Sequence, residues 1–535
     1  MVKFSVKKFQ AWSLLLVTGL LLFIRPGEAF GAPGDVVNCS PPIDLSNSEG
    51  YPSVDPLLLA DPAGVVHLFW AEKVTGEPND GTGPDTMMYA LWDGEVWSQP
   101  VDIFLSPRDH VVKKVGGIRG VIDNQGIIHL IWLGPDNTFF YSFVHASKAG
   151  SASAWQKPFL FTNEQVGVQY SADIAYEPPQ TLHVVYGRSP KQDARTVSYI
   201  RSVDRGLTWS EPADIYISSD LDRGPSNIRL QPDQPHKVYA TWTEWDTSGN
   251  GQAIFFARSL DSGNTWERPV ILAERTGMEY ERDWTSLAVL GENRLVVLWE
   301  GGFRAFPQTQ YSYDGGVTWS KPFDTFYWLI ADNGFASFAR DGAGRLHTFL
   351  PRRIREGFEH LCDGFSGCGE GEAERFQEQA NALWHSVWEG ETRWREPLPA
   401  GGFQSAEGES IAVGGNFASV VIYNGNQMMA AWFDYSYFET VVMHCEIEGA
   451  PAIAPQVWPT LSPTPTVTAT PSPSPTSTPL HQTGMSAQVI DKGDSPIIET
   501  GTVSNPALPV WLGTVPVLLV ILVVTFFSQI KNRNR

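Results

Sequence analysis

One unit of sequence recurs along the central part of the chain and restricts the fold more than any other feature. Successive copies of a Trp followed three residues later by Pro are 58, 54, 57, 53 and 75 residues apart. A period in the fifties, with four strand-like runs in each unit, is typical of the blades of a β-propeller. The six Trp residues are Trp97, Trp155, Trp209, Trp266, Trp319 and Trp394.

A second repeated strand sets the number of blades. It is apolar, and its seven copies start at His67, His129, His183, Val238, Leu295, Leu346 and Met428. The segment from Cys39 to Leu45 resembles the one from Trp97 to Ile103 and lies one period earlier. We therefore predict an all-β fold over residues 32–449, a propeller of seven four-stranded blades, with six as the alternative. The N-terminal strand would complete the last blade and remove the exposed sheet edges.

The four cysteines are predicted to form two disulfides. Closure by the N-terminal strand would place Cys39 beside Cys445, and such a bond is natural in an exported protein. It would close a loop of about 400 residues and stabilise the fold by about 4 to 5 kcal/mol in the chain-entropy model. Cys362 and Cys368 would pin a local loop, because a zinc site would require four ligands close together. We predict no metal and no cofactor.

The N-terminus is typical of a secretory signal peptide. Lys3, Lys7 and Lys8 precede an apolar run from Ala11 to Ile24, and small residues follow. The run is about 21 Å long as a helix, which is short for a hydrocarbon core of about 30 Å. We assign residues 1–31 to this signal, with an uncleaved anchor as the alternative.

The C-terminal part is predicted to tether the propeller to a membrane. Residues 450–506 begin with a segment rich in Pro, Ser and Thr, which cannot bury a core and favours a disordered stalk. Residues 507–530 carry no charge and would span about 36 Å as a helix. The basic tail 531–535 should stay in the cytoplasm. We therefore predict a single-pass protein of the cell membrane with its N-terminal domain outside the cell.

The charge balance argues against nucleic acid as a partner. The chain has 38 Lys and Arg against 59 Asp and Glu, a formal net charge of −21. Such a field repels phosphate backbones. No feature of the sequence indicates an oligomeric state.

Three units contain the motif Ser-x-Asp-x-Gly-x-Thr-Trp without error. The motif resembles the Asp box, or neuraminidase repeat, of bacterial sialidases. Its polar side chains can satisfy turn amides, its Gly permits a positive φ and its Trp is expected to be buried between strands, so its role is expected to be structural. The motif residues are Ser202, Asp204, Gly206, Thr208 and Trp209; Ser259, Asp261, Gly263, Thr265 and Trp266; and Ser312, Asp314, Gly316, Thr318 and Trp319.

The resemblance implies an Asp-box propeller and leaves the activity open, because the box also occurs in other glycosidases and in binding receptors. Sialidases are six-bladed, hold the substrate carboxylate with three Arg, and use a Tyr activated by Glu as nucleophile and an Asp as acid/base. Their first Arg lies in an Arg-Ile-Pro-like motif, whereas this first blade opens with Tyr51 to Pro56 and has no Arg there. The second Arg of sialidases is expected late in an inner strand, but the inner strands of the fourth and fifth units end at Glu244 and Glu300 instead. The Arg triad therefore cannot be transferred.

Candidate site residues come from the face opposite the tight turns. Turns between first and second strands are short, so the length variation falls on a loop-rich face, where sites are usually built. The connections entering the first strands are rich in charge and include Arg229. The alternative for any one residue is a solvated loop charge. The catalytic candidates are Tyr170, Asp222, Glu279, Tyr280 and Asp283, and the substrate-binding candidates are Arg119, Arg223, Arg282 and Arg352.

These observations favour a membrane-anchored, extracellular, sialidase-like propeller that recognises a glycan at its loop-rich face. Basic residues in an otherwise acidic protein would suit a carboxylated or sulfated glycan. Hydrolysis is left open. The alternatives are a non-catalytic binding or scaffold propeller and a glycosidase acting on neutral polysaccharide. His67, His129 and His183 share one repeat position, and we interpret them as strand residues rather than ligands.

Overall fold

The computed structural model of the protein describes most of the predicted propeller. The signal segment 1–31, the anchor 507–530, and Cys362 and Cys368 lie outside the described residues. The described residues are 37–46, 48, 51–76, 83–106, 114–161, 172–188, 195–233, 235–276, 283–300, 307–325, 332–333, 336–353, 382–390, 393–400, 418–434 and 438–456.

The described residues form seven antiparallel sheets, which follow one another along the chain as seven blades and confirm the predicted number. Two short strands, β1 (Val37–Cys39) and β2 (Ile43–Asp44), precede the first blade. Blade 1 contains β3 (Ser53–Ala60), β4 (Val66–Glu72), β5 (Thr86–Trp92) and β6 (Val101–Leu105). Blade 2 contains β7 (Gly116–Ile122), β8 (Ile127–Leu133), β9 (Phe139–His145) and β10 (Phe159–Leu160), with short 3₁₀ turns at Pro135–Asn137, Ala146–Lys148 and Ala152–Ala154.

The next three blades repeat the four-stranded pattern. Blade 3 contains β11 (Ala172–Glu177), β12 (Thr181–Arg188), β13 (Thr196–Ser202) and β14 (Ala213–Ile217). Blade 4 contains β15 (Arg223–Asp233), β16 (Lys237–Asp246), β17 (Gly251–Ser259) and β18 (Val270–Glu274). Blade 5 contains β19 (Asp283–Gly291), β20 (Arg294–Glu300), β21 (Gln308–Ser312) and β22 (Phe323–Asp324).

Blade 6 departs from the pattern because its innermost and outermost strands are each split in two. Its strands are β23 (Asp332–Asn333), β24 (Ser337–Arg340), β25 (Leu346–Arg353), β26 (Ala382–Gly390), β27 (Arg393–Trp394) and β28 (Leu398–Pro399). Blade 7 contains β29 (Ala418–Tyr423), β30 (Gln427–Asp434) and β31 (Glu439–Ile447).

The N-terminal strand closes the ring. β1 pairs with β31 as the outermost strand of blade 7, with Cys39 opposite Cys445. The two cysteines form a disulfide, so the predicted closure and this predicted bond are both confirmed.

The first strands of the blades surround a central channel. Each contacts the first strand of the next blade, and β29 of blade 7 contacts β3 of blade 1. Turns between first and second strands, such as 61–65 and 123–126, lie on one side, here called the tight-turn face. The loop-rich face is the opposite side.

The core consists of apolar layers between neighbouring blades. Trp70, Trp242, Trp299 and Trp432, all on second strands, are almost fully buried. The Trp of each complete Ser-x-Asp motif precedes an outermost strand and packs on the preceding blade. Trp209, for example, meets the ring of Tyr141 edge-on at 5.1 Å between centroids.

The three complete Ser-x-Asp turns have the same internal hydrogen bonds. In blade 3, Ser202 Oγ accepts from the Gly206 amide at 2.7 Å, and Asp204 accepts from the Thr208 amide at 2.8 Å. The turns of blades 4 and 5 repeat both bonds. The motif therefore encodes one turn conformation three times.

Within the part of the chain that the structure describes, no helix has the length and apolar character needed to cross a bilayer.

Candidate functional site

The first strands place one residue per blade at the same level of the channel, and we call these seven residues the channel ring. Each is the strand partner of the corresponding residue in the apolar second strand. Together they line a cavity of about 230 Å³. In blade order the ring is Leu57, Arg119, Asp173, Arg229, Ser286, Ser337 and Ser419.

A β-bulge precedes the ring residue in blades 1, 2, 4 and 5. In each bulge, a step of three residues along the first strand pairs with a step of two residues along the second strand. The residue two positions before the ring has a positive φ in all four: Asp55, Gly117, Asn227 and Trp284. Because side chains alternate along a strand, one extra residue reverses the side chains on either side of it. The bulges therefore determine which residues line the cavity.

The ring carries alternating charge on blades 2 to 4. Asp173 accepts hydrogen bonds from its neighbour's amide, Ile174 N at 3.0 Å, and from Leu230 N of blade 4 at 2.9 Å. Burial raises the pKa of Asp173, and the charges of Arg229 and Arg119 oppose that rise. Two guanidinium groups from blades 2 and 4 thus flank one carboxyl group from blade 3.

Polar ring residues on the other blades bond to neighbouring strand edges. Ser419 Oγ of blade 7 accepts from Leu58 N of blade 1 at 2.9 Å. The Ser337 hydroxyl of blade 6 donates to the Ala418 carbonyl of blade 7. Innermost strands have one edge with no strand partner, so these side chains satisfy backbone groups there as well as lining the cavity.

A second charged pair lies next to the ring on blades 1 and 2. Asp55 accepts from the Gly117 amide at 2.8 Å. Burial lowers the pKa of Lys114, and the negative charge of Asp55 opposes that shift. Lys114 also donates to Asn137 Oδ1 at 2.9 Å. Asp55 lines the cavity together with Arg119, Asp173 and Arg229, and Lys114 lies close enough to Asp55 to be influenced by its charge.

The structure separates the candidates predicted from sequence. Arg119 lies inside the channel, on strand β7, rather than in a loop. Arg223 begins β15 and forms ion pairs with Asp220 at 3.1 Å and Glu244 at 3.7 Å. Asp222, next to it, is exposed. The Arg223 group is thus a partly buried ion-pair cluster, and none of its residues lines the central cavity.

Glu244 in this cluster also accepts a hydrogen bond from the Tyr216 hydroxyl at 2.5 Å. Burial and the adjacent carboxylate raise the pKa of Tyr216. This favours the neutral phenol as a donor over a phenolate.

The remaining candidates are divided between strand ends and undescribed positions. Asp283 is buried at the start of β19, with Glu300 as its strand partner. Arg352 lies in β25 between Asn333 and Ala382. Tyr170, Glu279, Tyr280 and Arg282 lie outside the described residues.

Sequence reasoning missed Asp173 and the three ring serines, although a signal for them exists. The ring residue lies ten positions before the first residue of the apolar second-strand motif in blades 1 to 3, as Arg119 precedes His129, and nine positions before it in blades 4 to 7, as Arg229 precedes Val238. Superposing the seven repeats on that motif would have placed the ring residues in one column.

The repeated histidines are buried at the tight-turn end of the second strands. His129 Nδ1 lies 2.8 Å from the Tyr141 hydroxyl, and His129 Nε2 lies 3.8 Å from Asp123. His67 and His183 have the same kinds of partner. Among the described residues, no group of His, Cys, Asp and Glu is arranged to hold a metal ion.

No protein-family model matches the chain, and no curated protein matches it. Solved structures do resemble it. A protein of unknown function from Dyadobacter fermentans DSM 18053 is 12% identical over 78% of this chain and 100% of its own, with a TM-score of 0.44. A PL25 ulvan lyase is 10% identical over 79% and 96%, with a TM-score of 0.46. The Hadza microbial sialidase Hz136 is 12% identical over 75% and 66%, with a TM-score of 0.40. Likeness at this level assigns no activity.

Proposed function

We propose that this propeller recognises a glycan by binding an anionic sugar unit in the central cavity, between Arg119 and Arg229. The observation that carries the proposal is the convergence of two guanidinium groups from blades 2 and 4 on one cavity. Planar guanidinium groups match the geometry of carboxylate and sulfate, which they can hold through two parallel hydrogen bonds.

The dimensions and lining of the cavity support a small, hydroxyl-rich ligand. Its volume of about 230 Å³ is below the roughly 300 to 1,000 Å³ of drug-sized sites, so it suits a single sugar unit. Ser286 and Ser337 add hydroxyl oxygens to the lining, while Leu57 and Phe338 supply apolar surface. A sugar ring presents both kinds of surface.

We further propose that the propeller is displayed outside the cell, anchored through residues 507–530. The Cys39–Cys445 disulfide supports exposure to an oxidising compartment, because such bonds are rare in the cytosol. The uncharged C-terminal stretch supports the anchor.

Binding of simple sugars tests the proposed site. Calorimetric titration of the full-length chain in detergent with sialic acid, glucuronic acid and galactose should show binding of the two acids alone. Arg119→Ala and Arg229→Ala should each weaken binding at least tenfold. Arg393→Ala is the matched control, because this arginine is 75% exposed and paired with Glu389. Equal affinity in all three variants, or equal affinity for galactose, would contradict the proposal.

Hydrolysis is a separate question. A retaining glycosidase needs two catalytic groups about 5 Å apart, and an inverting one needs about 6.5 to 9.5 Å. Turnover of fluorogenic glycosides, acidic and neutral, by the full-length chain would establish catalysis. Binding without turnover would assign a lectin-like role.

A scaffold function is the second candidate. It is favoured by the bonds of Asp173, Ser337 and Ser419 to neighbouring strand edges, which give these side chains a structural role. No binding on a broad glycan array, together with no turnover, would favour it over glycan recognition.

A further inference from the structure

The chain beyond the last strand runs over the tight-turn face. After β31 ends, Ile453 N donates to the carbonyl of Asn424 at 2.8 Å, in the first turn of blade 7. Gln456 N donates to the carbonyl of Pro62 at 2.7 Å, in the corresponding turn of blade 1. Residues 449–456, here called the strap, therefore pass from blade 7 to blade 1.

The strap also lies against blade 6, where it packs directly on the backbone of glycine residues. Gly342 in the blade 6 turn donates to the Gly425 carbonyl of the blade 7 turn at 2.7 Å. A Cβ atom on Gly342 or on Gly425 would overlap the Pro451 carbonyl oxygen. Backbone packed on backbone leaves no flexible side chain to move aside, so the two glycines determine whether the strap fits.

The strap crosses the seam where the two ends of the propeller meet. On the periphery the Cys39–Cys445 disulfide fastens this seam, and at the channel Ser419 bonds to Leu58. On the loop-rich side Ser53 N donates to the Phe438 carbonyl at 3.0 Å. On the tight-turn side, the strap joins blades 7 and 1 through its backbone hydrogen bonds to Asn424 and Pro62.

We propose that residues 449–456 are a second closing device, which holds blades 6, 7 and 1 together and fixes the point where the C-terminal tail leaves the propeller. That point is at blade 1 on the tight-turn face.

Hydrogen exchange on the full-length chain tests the fastening. In the wild type the amides of Ile453 and Gln456 should exchange slowly, and Gly342→Ala should speed both at least tenfold by displacing Pro451. Gly425→Ala should do the same, but its φ of +80° adds backbone strain. Gly344→Ala is the matched control, since Gly344 has a φ of +78° and open space around it. It should leave strap exchange unchanged.

A milder variant keeps the test decisive if either alanine variant fails to fold. Gln456→Pro removes one N–H and changes nothing inside the propeller, and it should speed exchange at Ile453. Wild-type strap amides that exchange as fast as an unstructured peptide, or variants that exchange as slowly as the wild type, would overturn the proposal.

Cross-linking tests the exit point independently. In a Cys362→Ser/Cys368→Ser background, the pair Pro62→Cys and Gln456→Cys should oxidise to a disulfide. The pair Thr75→Cys and Gln456→Cys, which joins the strap to the loop-rich side of blade 1, should not. The reverse pattern would place the tail on the other face.

Discussion

Gly206 of blade 3 lies so close to the hydroxyl group of Tyr141 in blade 2 that a Cβ atom in its place would overlap that oxygen. The same hydroxyl lies 2.8 Å from His129 Nδ1. Gly263 and Tyr199 repeat this relationship one blade further on. The repeated Ser-x-Asp turn therefore packs against the blade before it, in addition to shaping its own loop.

Gly206→Ala should destabilise the propeller far more than the same change in an open turn. The variant forces a residue into a φ of +86° and pushes Tyr141 out of its packed position, which together should cost about 2 to 4 kcal/mol. Gly94→Ala is the control: its φ is +107° and nothing lies within 4 Å, so it should cost only about 1 kcal/mol. Urea unfolding of both variants measures the difference. Equal losses would show that the Tyr141 contact contributes nothing.

The sequence predicts the Ser-x-Asp turn of blade 3, but it does not predict the contact of that turn with Tyr141 of blade 2. Ser202, Asp204 and Thr208 bond to each other and to amides within the same turn, so their spacing in the motif is sufficient to predict a structural role. Tyr141 is more than sixty residues away. Its contact with Gly206 depends on how two blades pack, and no local pattern encodes it.

Loss of the Cys39–Cys445 disulfide should destabilise the fold by about 2 to 5 kcal/mol, because the bond restricts the unfolded chain over a separation of 406 residues. A Cys39→Ala/Cys445→Ala variant, compared with the wild type by urea unfolding, should show a lower midpoint. Cys362→Ala/Cys368→Ala is the control, and because the predicted disulfide between these residues closes only a short loop, its loss should lower the free energy of unfolding by less. A wild-type midpoint in the first variant would mean that closure depends on strand pairing and the strap alone.

The channel ring shows the limit of sequence reasoning for the site. From the sequence, Arg119 is expected in a charge-rich connection that enters a first strand. A bulge at Gly117 adds one residue to the strand and turns Arg119 into the cavity. Asp173 lies between Ala172 and Ile174, so the local sequence does not mark it as a site residue. Arg119 and Arg229 reach its surroundings only because three blades meet at the axis.

Acid should destabilise the propeller through its buried histidines. His385 of blade 6 lies 2.8 Å from His347, and burial, with His347 and Arg345 nearby, lowers the pKa of His385 to about 3. Between pH 6.5 and 3 the unfolded chain binds a proton here that the folded chain does not. The free energy of unfolding should therefore fall by about 1.4 kcal/mol for each pH unit below 6.5 from this residue.

Urea unfolding between pH 7 and 4.5 tests this contribution. His385→Gln keeps a polar group beside His347 but cannot be protonated, so its stability should fall less steeply with pH. His236→Gln is the control, because the side chain of His236 is 73% exposed. A pH slope in His385→Gln as steep as in His236→Gln would contradict the assignment. The lowered pKa values of His129 and Asp123 act in the same direction, so part of the slope should persist in both variants.

Binding of an acidic sugar should tighten as the pH falls from 7.5 to 5, because of Asp173. Burial raises the pKa of this carboxyl group, and protonation removes the one negative charge between Arg119 and Arg229. A carboxylated sugar with a pKa near that of an α-carboxyl, about 3.5, stays ionised throughout this range. The two guanidinium groups then attract it without competition. Affinity should therefore rise toward the acid end of this range, and the size of the rise depends on how far burial raises the pKa of Asp173.

Asp173→Asn separates this effect from other pH-dependent changes. The amide oxygen can still accept a hydrogen bond from Leu230 N, but the side chain carries no charge, so binding should be tight at pH 7.5 and nearly independent of pH. Calorimetric titration of both proteins with sialic acid at four pH values gives the two slopes. If affinity instead falls with pH in the wild type, or if Asp173→Asn binds more weakly at pH 7.5, the carboxylate itself contacts the sugar. Asp173 would then be a ligand-binding group rather than a competitor for the arginines.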